Sequence, residues 1–583
     1  MNKTDLLQKV KALDGLTQDE RAYLINLVNT KKKYGLVWED KPEDVEELLR
    51  ENLPVLKEIK EKAIINGDEH PNHLLIEGDN LHALTALTFT HEGKIDVIYV
   101  DPPYNTGNKD FKYNDSFVDK EDSYRHSKWL SFMNKRLVIA KKLLSANGVI
   151  FISIDDNEVA QLKLLCDTLF YESNLVGIVT VAKGTTTGQD GKKFGSSCDY
   201  LLVYSMSNFE LGKLELSEKD KKRFSRKDEK GNYAILQFRK TGNNDRRENR
   251  PNLFYPLTNP EGNQVLPYGP GGYESTWRGD MKFFNRLTKG NMIEWVKQED
   301  GWKPYVKFYM EGRGKAPSNL WTDIDGNKKA TIELKDIFGD KVFTNPKPTD
   351  LIIKCLEIGG SRESVVLDFF AGSGTTMQAV MKMNDSDEGS RKCILVTNNE
   401  NNICEEITYE RNKRVIQGYS NSNGDEVEGL LNNSLRYYKC GFVSREPSLK
   451  NKRELTQLAT DLLCIKEDCY TEQKIDIKQA RMFANSNVTL IVLFDDQIIP
   501  QAVEFIKRIE APEIKVYVFS MGSDPYTDDF ADVLDKITLC ALPDAIYKAY
   551  QNVLPKKNKI VPTIEEEDSE THTNESGEQL SIL

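Results

Sequence analysis

The amino-acid sequence predicts an α/β fold with a doubly wound, mostly parallel sheet that carries helices on both faces. Short apolar strands alternate with amphipathic helices from His73 to Ser205, and the same alternation resumes near residue 342 after a long irregular segment. A shorter alternation after residue 449 indicates a small additional α/β domain. With 583 residues, the chain is long enough for about three or four structural units.

The first segment, residues 1–64, is predicted to be helical. Its clearest stretch is KPEDVEELLRENLPVLKEIKEKAII, in which apolar and charged residues recur with helical spacing and Pro54 is an interruption. We therefore expect a helical lead-in before the first strand of the sheet.

The elements of the main sheet follow in order. Helices are predicted at LHALTALTF, YRHSKWLSFMNKRLVIAKKLL, EVAQLKLLCDTLF, TDLIIKCLEI and TTMQAVMKM, where the apolar residues recur on one face. Two of the strands are close in sequence and are predicted to form an antiparallel hairpin, 175–181 with 199–205. The predicted strands are residues 73–77, 95–100, 148–154, 175–181, 199–205, 365–369 and 393–397.

These patterns divide the chain into six predicted parts. The irregular segment is basic, aromatic and rich in glycine, and the tail TIEEEDSETHTNESGEQ is acidic and predicted to be disordered. The parts are an N-terminal helical segment (1–64), the first half of the sheet (65–205), an inserted domain (206–341), the second half of the sheet (342–448), a C-terminal α/β domain (449–556) and the tail (557–583).

Composition indicates an ordinary globular protein, with 39% hydrophobic and 29% charged residues. No apolar run approaches about 18 residues and the first residues are polar, so we expect a cytoplasmic protein. Nine scattered cysteines favour a reducing compartment and no structural metal. The net charge is −12, but Lys219–Arg250 contains twelve basic and five acidic residues, a bias that suits a phosphate backbone.

A glycine-rich turn in VVLDFFAGSGTT joins a predicted strand to a predicted helix. Glycines allow a ligand to approach the backbone, and the start of a helix offers free N–H groups to an anion such as a carboxylate. The turn matches neither GxGxxG nor GxxxxGK[ST]. The next strand leads to Glu400, where an acid in a doubly wound sheet holds ribose hydroxyls, so a nucleoside ligand is favoured over a purely structural turn.

A second unusual stretch is VIYVDPPYNTGNKDF, in which an apolar strand ends in an acid, two prolines and a tyrosine. Taken together, DPPYNTG and DFFAGSGTT resemble the two signatures of S-adenosylmethionine-dependent amino methyltransferases of DNA. Their order, with the catalytic tetrapeptide first, resembles the permuted β class. IEGDNLHAL, FTNPKPTDLI and ILVTNNENNIC further resemble the modification subunit of type III restriction systems. The resemblance covers roughly residues 70–440.

The resemblance implies a circularly permuted, Rossmann-like methyltransferase sheet and a specific chemistry at Asp101, Pro102, Pro103 and Tyr104. Asp101 and the backbone carbonyl of Pro102 are expected to accept hydrogen bonds from N6 of a flipped adenine, which frees its lone pair to attack the sulfonium methyl. The prolines fix the backbone, and Tyr104 stacks on the base. Asp in place of Ser at position 101 favours adenine N6 over cytosine N4.

The resemblance also implies a set of residues around S-adenosylmethionine. Asp79 and Asn80 match a position beside the cofactor adenine, although a plain turn also explains them. The FTNPKP segment matches one that closes over the methionine moiety. The expected cofactor-binding residues are Asp79, Asn80, Phe343, Lys347, Pro348, Asp368, Phe370, Ala371, Gly372, Ser373, Gly374, Thr375, Thr376 and Glu400.

DNA sequence reading is expected in the inserted domain, where basic and aromatic residues are interleaved. A solvated basic loop is the alternative for any single residue. The candidate DNA-binding residues are Arg239, Lys240, Arg246, Arg247, Arg250, Trp277 and Arg278.

Three functions stay open at this point. The first is an adenine-N6 methyltransferase of a type III restriction-modification system, acting on double-stranded DNA as a homodimer beside a helicase-nuclease partner. The second is a solitary or cytosine-N4 methyltransferase, and the third is a silent DNA-specificity subunit. The sequence contains no GxxxxGK[ST] loop, so translocation with ATP is expected to need the partner. The C-terminal domain is expected to mediate dimerisation or docking.

Overall fold

The computed structural model describes Leu13 and residues 37–183 and 195–555. Most of the predicted N-terminal helical segment, most of the loop KGTTTGQDGKKFGSS and the acidic tail lie outside the described residues.

The strands are β1 (Asn52–Glu58), β2 (Asn72–Glu77), β3 (Ile95–Val100), β4 (Lys112–Tyr113), β5 (Ser116–Phe117), β6 (Leu144–Ile154), β7 (Leu175–Ala182), β8 (Cys198–Ser205), β9 (Arg226–Asp228), β10 (Gly231–Gln237), β11 (Leu257–Thr258), β12 (Gln264–Val265), β13 (Ile293–Gln298), β14 (Gly301–Tyr309), β15 (Leu320–Trp321), β16 (Val365–Asp368), β17 (Lys392–Thr397), β18 (Tyr419–Ser420), β19 (Glu426–Val427), β20 (Ser434–Ser444), β21 (Glu472–Gln473), β22 (Ala480–Ala484), β23 (Val488–Leu493), β24 (Glu513–Phe519) and β25 (Ile537–Leu542).

The α-helices are α1 (Asp44–Glu51), α2 (Asn80–His91), α3 (Arg125–Leu143), α4 (Val159–Cys166), α5 (Glu218–Lys221), α6 (Met281–Lys289), α7 (Asn327–Phe338), α8 (Thr349–Gly359), α9 (Thr375–Asp387), α10 (Glu410–Gln417), α11 (Leu449–Glu467), α12 (Ile499–Ile506) and α13 (Asp544–Tyr550).

The main sheet has ten strands in the order β1-β20-β2-β17-β16-β3-β6-β8-β7-β15. The six strands from β20 to β6 are parallel, whereas β1 pairs antiparallel with β20, and β8 pairs antiparallel with both β6 and β7. All seven predicted strands lie in this sheet, and the predicted hairpin is β7 with β8. The α/β fold class is therefore confirmed.

Alternate residues of the central strands enter two separate hydrophobic cores, one on each face of the sheet. On β3, Ile98 and Val100 pack with α2, α3 and α11, whereas Val97 and Tyr99 pack with the face that carries α8, α9 and α10. This alternation follows from the two-residue period of a strand. The doubly wound arrangement places the loops after the parallel strands together at one edge.

The prediction of a helix through residues 41–65 is only partly right. Helix α1 ends at Glu51, and Asn52–Glu58 forms the edge strand β1 against β20. The charged residues on either side give the stretch a helical pattern, but Leu53, Val55 and Leu56 are all buried. Pro54 lacks an N–H donor, which an edge strand tolerates.

The inserted domain is more regular than its sequence suggests. It contains a four-stranded antiparallel sheet in the order β13-β14-β10-β9, with Phe238, Trp277 and Phe284 in a small core. The chain also returns to the main sheet before the predicted boundary at residue 341. Strand β15 pairs parallel with β7, and Trp321 and Ile337 belong to a core of the main sheet.

The residues after 449 form a second, five-stranded sheet in the order β21-β22-β23-β24-β25. Two of its helices also cover the main sheet. The backbone N–H of Glu58 in β1 donates to Asp461 of α11 at 2.9 Å, and the Tyr550 hydroxyl of α13 donates to the Pro54 carbonyl at 2.9 Å. Side chains of both helices share one hydrophobic core with β1 and α2. Among the described helices, none has the length and apolar character needed to cross a bilayer.

Candidate active site

The two motifs lie at neighbouring strand ends. Asp101 directly follows β3, and Asp368 is the last residue of β16. These strands are parallel and adjacent, with Val366 beside Val97 and Leu367 beside Ile98. The segment Asp101–Asn105, here called the 101–105 loop, therefore leaves the sheet beside residues 368–376, here called the glycine turn. Ligands of doubly wound sheets bind at this edge.

The 101–105 loop presents polar atoms without partners. Asp101 Oδ2 accepts a hydrogen bond from Lys347 Nζ at 2.6 Å, whereas Asp101 Oδ1 is buried and has no partner among the described residues. The hydroxyl of Tyr104 is also buried and makes no well-aligned hydrogen bond to the described residues, and it lies close to the Asp101 carboxylate. Burial and the nearby Asp101 carboxylate raise the pKa of Tyr104 well above its usual range, so the phenol keeps its proton. Buried polar atoms without partners are rare, and at a strand end where ligands bind they suit a ligand's polar groups.

Protein contacts hold the backbone of this loop. The indole N–H of the fully buried Trp129 donates to the Pro103 carbonyl at 2.7 Å. Asn105 has a left-handed backbone with φ 57°, and its side-chain amide donates to Glu158 Oε1 at 2.6 Å. The loop is thus fixed at Pro103 and Asn105, on either side of Tyr104.

Glu158 is a site residue that the sequence reasoning missed. It precedes α4, is completely buried, and its Oε1 also lies 2.6 Å from His126 Nδ1. Arg125 Nε donates to His126 Nε2 at 3.2 Å, which favours the proton on Nδ1. Burial raises the pKa of Glu158 to about 8. The sequence shows Glu158 only as the last of three acids in SIDDNEV. Its hydrogen bond to Asn105 joins residues that are far apart in the chain, so no local pattern predicts it.

The glycine turn differs because its polar groups bond to the protein itself. Asp368 was expected to contact the cofactor, yet Oδ1 accepts from the Phe370 N–H at 2.9 Å and Oδ2 from the Thr376 hydroxyl at 2.5 Å. The carboxyl is buried, which raises its pKa to about 7. Asp368 therefore shapes the turn, and each of its oxygens already accepts one hydrogen bond from the protein.

Close packing explains the two glycines. Gly372 and Gly374 have φ 49° and 79°, in the left-handed region. A Cβ on Gly374 would lie 2.5 Å from the side-chain nitrogen of Asn412, whereas one on Gly372 would make an ordinary contact of 3.5 Å with Phe343. The Gly372 carbonyl accepts from the Thr408 hydroxyl at 2.7 Å. Thr408 and Asn412 thus pack closely against the turn, whereas the space around the Cβ position of Gly372 is less crowded.

Arg411 in α10 is a second residue that the sequence reasoning missed. It is completely buried and donates from Nη1 to the Ser373 and Thr375 hydroxyls at 2.9 and 2.7 Å, and from Nε to Gln378 at 2.7 Å. Burial lowers its pKa to about 10. The predicted residues Ser373 and Thr375 therefore serve the shape of the turn through Arg411.

Four other expected cofactor residues lie in or next to the glycine turn and also bond or pack within the protein. Asp79 caps α2 by accepting from the Leu81 N–H at 2.8 Å, and Asn80 donates to the Phe369 carbonyl at 3.0 Å. The Asn80 bond ties the loop after β2 to the glycine turn. Phe370 lies 5.8 Å from the Phe132 ring, between ring centroids. The Ala371 N–H donates to the Val396 carbonyl at 3.1 Å.

Glu400 lies beyond the end of strand β17. Strand β17 ends at Thr397, and Glu400 begins a short 3-10 turn, where its half-exposed carboxylate forms an ion pair with Lys112. Two asparagines, Asn398 and Asn399, separate Glu400 from the end of the predicted strand 393–397. Phe343 lies near Gly372, and Pro348 is the cap residue before α8.

The candidate DNA-binding residues differ in exposure. The prediction is wrong for Arg239 and Trp277, which are 8% and 1% exposed. Arg239 donates to the Lys240 carbonyl and Ser275, while Trp277 stacks on Phe238. Trp277 belongs to the small core of the inserted domain, and the Arg239 guanidinium lies 3.6 Å from the Asp245 carboxylate, so both side chains are largely closed to a nucleic acid.

The other candidates are at least partly accessible. Arg246 and Arg247 are exposed and lie over the rings of Tyr273 and Phe254 at 4.1 and 4.4 Å. Lys240, Arg250 and Arg278 are half-buried, and Arg278 Nε donates to the Gln237 carbonyl at 2.8 Å.

A family model described as DNA methylase matches residues 95–417, which contain both motifs. The chain therefore belongs to the DNA methylase family, and the resemblance noted in the sequence is confirmed at this level. Among individual relatives, the chain is 36% identical to the type II methyltransferase M.KpnI of Klebsiella pneumoniae over 355 residues, which cover 58% of this chain and 84% of that protein.

Two further relatives are modification subunits of type III restriction enzymes. The EcoPI Mod subunit of Escherichia phage P1 is 33% identical over 420 residues, or 64% of each chain. The StyLTI Mod subunit of Salmonella typhimurium is 33% identical over 352 residues, or 57% of this chain and 53% of that one. The chain thus spans about half to two thirds of the length of these subunits.

Solved structures of DNA methylases also align with this chain at low similarity. A putative DNA modification methylase from Thermus thermophilus, complexed with S-adenosyl-L-methionine, aligns at 14% identity and TM-score 0.30 over 61% of this chain and 99% of that one. The PvuII DNA methyltransferase, described as cytosine-N4-specific, aligns at 12% identity and TM-score 0.30 over 62% and 98%.

Proposed function

We propose that this protein is a site-specific DNA methyltransferase that transfers a methyl group from S-adenosylmethionine to N6 of a flipped adenine. The observation that carries the proposal is a pair of buried polar atoms beside the glycine turn, Asp101 Oδ1 and the Tyr104 hydroxyl, which have no hydrogen-bond partner among the described residues. An exocyclic amino group supplies the N–H donor that Asp101 Oδ1 lacks there. Membership of the DNA methylase family supports the same chemistry.

The residues around the glycine turn fit the cofactor. Gly372 leaves backbone open on the side of Phe343, and α9 begins directly after the turn, so its first amide groups face the ligand edge and suit a carboxylate. When bound, S-adenosylmethionine supplies a methyl group on a positively charged sulfur. We assign Gly372 and Phe343 to hold its methionine part, and Asp79, Asn80 and Glu400 to the adenosine side.

The 101–105 loop is proposed to activate the adenine. The lone pair of the amino nitrogen is delocalised into the ring, and hydrogen bonds to Asp101 Oδ1 and the Pro102 carbonyl free it for attack. These bonds strengthen as positive charge develops on nitrogen, which favours the transition state. Tyr104 stacks against the base, which leaves the duplex to reach this site. Trp129 and Glu158 hold the loop through Pro103 and Asn105.

We further propose that the chain is a modification subunit of a type III system. The relatives named as EcoPI and StyLTI Mod subunits support this role. The proposal includes a circularly permuted core, since the 101–105 loop precedes the glycine turn in sequence, and a cytoplasmic homodimer that binds a helicase-nuclease subunit. Residues 449–555 are assigned to dimerisation or docking. Because α11 and α13 cover β1, sedimentation of the full chain is a better test than truncation.

DNA contact is assigned to the exposed face of the inserted domain. Arg246 and Arg247 carry charges that are held over aromatic rings and remain accessible. Such arginines contact phosphates or guanine edges. The target sequence depends on how the domain docks on the duplex.

The test is a methyl-transfer assay with product identification. The purified protein and its Asp101→Ala variant are incubated with labelled S-adenosylmethionine and unmethylated bacterial DNA, and the digested nucleosides are separated. We expect label in N6-methyladenine with the wild type and none with the variant. Label in N4-methylcytosine would contradict the adenine assignment. Cofactor and DNA binding without any label would favour a silent specificity subunit.

A further inference from the structure

Lys347 contacts the residue that the proposed chemistry depends on most. Its Nζ donates to Asp101 Oδ2 at 2.6 Å and lies 5.0 Å from the centroid of the Tyr104 ring. The lysine side chain is 12% exposed, and that of Asp101 is 25% exposed. The ammonium group thus contacts Asp101 and Tyr104 of the 101–105 loop, although residues 101 and 347 are far apart in sequence.

The backbone delivers this lysine to a defined place. Lys347 lies between Pro346 and Pro348, whose rings fix φ, and Pro348 is the cap residue of α8. A cation just before the start of a helix meets the positive end of the helix dipole, which is unfavourable by itself. Helix stability therefore does not explain a lysine here, whereas the contact with Asp101 does.

The contact with Lys347 makes the two carboxylate oxygens of Asp101 different from each other. Oδ2 is occupied by the ammonium group, and Oδ1 is the buried oxygen without a partner among the described residues. A carboxylate held at one oxygen cannot rotate about its last bond without losing that hydrogen bond. Oδ1 is consequently held in one direction before any substrate arrives.

We propose that Lys347 is a positioning residue for Asp101, and that its primary role is to fix Oδ2 so that Oδ1 meets the amino group of the target base. This inference rests on the proposed function. It differs from the role implied by the family resemblance, in which the segment around Lys347 closes over the cofactor. In the proposed arrangement the lysine acts on the rate of methyl transfer and has little effect on cofactor affinity.

The chemistry of the side chain makes lysine specific for this role. The ammonium group of Lys347 is a compact donor, and its hydrogen bond to Asp101 goes to Oδ2. A guanidinium group is a planar fork that binds both oxygens of a carboxylate together. Arginine at this position would keep the ion pair but occupy Oδ1 as well, so it should not restore activity.

The experiment compares Lys347→Met, Lys347→Arg and a matched control, Lys354→Met. Lys354 lies in α8, and its Nζ pairs with Asp323 at 2.7 and 2.8 Å, away from the 101–105 loop. For each full-length protein we would measure kcat, the KM for S-adenosylmethionine, and the Kd for S-adenosylmethionine by calorimetry. Calorimetry reports cofactor binding whether or not transfer occurs.

We expect Lys347→Met and Lys347→Arg to lower kcat by about 10²-fold, the scale of a misplaced catalytic group, while the Kd for the cofactor changes less than about threefold. Lys354→Met should match the wild type. An unchanged kcat with a tenfold weaker Kd would overturn the inference and make Lys347 a cofactor contact. Full activity of Lys347→Arg would also overturn it. A wild type that binds cofactor but methylates no DNA would instead overturn the proposed function, and the inference with it.

Discussion

The 101–105 loop and the glycine turn leave neighbouring strands at the same edge of the sheet, but they differ in whether their polar groups are hydrogen-bonded within the protein. In the glycine turn, Asp368, Ser373 and Thr375 all find partners within the protein. In the loop, Asp101 Oδ1 and the Tyr104 hydroxyl are buried without partners among the described residues. The polar side chains of the turn are therefore used within the protein, which leaves its backbone to contact a ligand. The polar atoms of the loop are available to bind a substrate.

The largest expected effect of this difference is on activity. Asp101→Asn removes the charge at the unpartnered oxygen, and we expect methyl transfer to fall by about 10²–10³-fold, as when a charge-stabilising acceptor or donor is lost. Asp368→Asn should mainly lower the melting temperature, because it disturbs two internal hydrogen bonds. Turnover and thermal unfolding of both variants check this. A stability loss in Asp101→Asn equal to that in Asp368→Asn would contradict the contrast.

The next effect is on the stability of the scaffold. Arg411→Met leaves the buried acceptors of Ser373, Thr375 and Gln378 without their donor, so we expect a loss of about 2–4 kcal/mol in the free energy of unfolding. Lys413→Met is the control, because Lys413 lies in the same helix in a partly exposed pair with Glu410 and should lose about 1 kcal/mol or less. Urea unfolding measures both, and equal losses would refute the role given to Arg411.

Substitutions at the two glycines separate packing from ligand approach. Gly374→Ala places Cβ 2.5 Å from Asn412, so we expect a loss of about 1–3 kcal/mol in stability. Gly372→Ala has room for Cβ, so we expect it to cost only the backbone strain of its positive φ, about 1–2 kcal/mol, and also to weaken S-adenosylmethionine binding, because the methyl group lies on the proposed ligand side. Thermal unfolding and calorimetry report the two quantities. A Gly372→Ala protein that binds the cofactor normally would remove this side of the turn from the ligand site.

The smallest effect concerns pH. Burial raises the pKa of Glu158 from its ordinary value of 4.5 to about 8, so the folded protein holds a proton on this residue at neutral pH. Asn105 and Arg125 act to lower this pKa and Asp155 to raise it, and His126 lies in hydrogen-bond contact. Folding therefore takes up a proton between these values, and stability falls as pH rises toward 8.

Glu158→Gln cannot ionise and should lose this dependence. Between pH 6 and 9, we expect the wild type to lose about 1–3 kcal/mol more unfolding free energy than the variant. Asp368, whose pKa is raised to about 7, contributes equally to both proteins and cancels. Chemical denaturation across this pH range makes the comparison, and parallel curves would show that Glu158 is already ionised in the folded protein.

Much of the fold was predictable because its signals are local. The strands around DPPY and the glycine turn are continuous apolar runs, and turn residues end them, so seven strands of the main sheet and the strand-end position of both motifs follow from the pattern. Strand β1 was predicted as helix, because only its pairing with β20, far along the chain, distinguishes it from a continuation of α1.

The residues within the two motifs could be predicted from the sequence, but the residues that contact and hold them could not. Asp101 and Tyr104 could be singled out from a tetrapeptide, whereas the partners Glu158, Lys347 and Arg411 reach the site from other elements. The same limit explains the error at Arg239, since a basic residue in a polar stretch gives no local sign that its side chain will be buried.

The most direct test of the central claim is a single-turnover measurement that separates binding from chemistry. Wild type and Asp101→Asn are preloaded with S-adenosylmethionine, mixed with excess DNA, and quenched over time, while cofactor affinity is measured separately. We expect the rate of methyl transfer to be about 10²-fold or more lower in the variant, with nearly unchanged cofactor affinity. An unchanged transfer rate would contradict it, because the free oxygen of Asp101 would then have no part in the reaction.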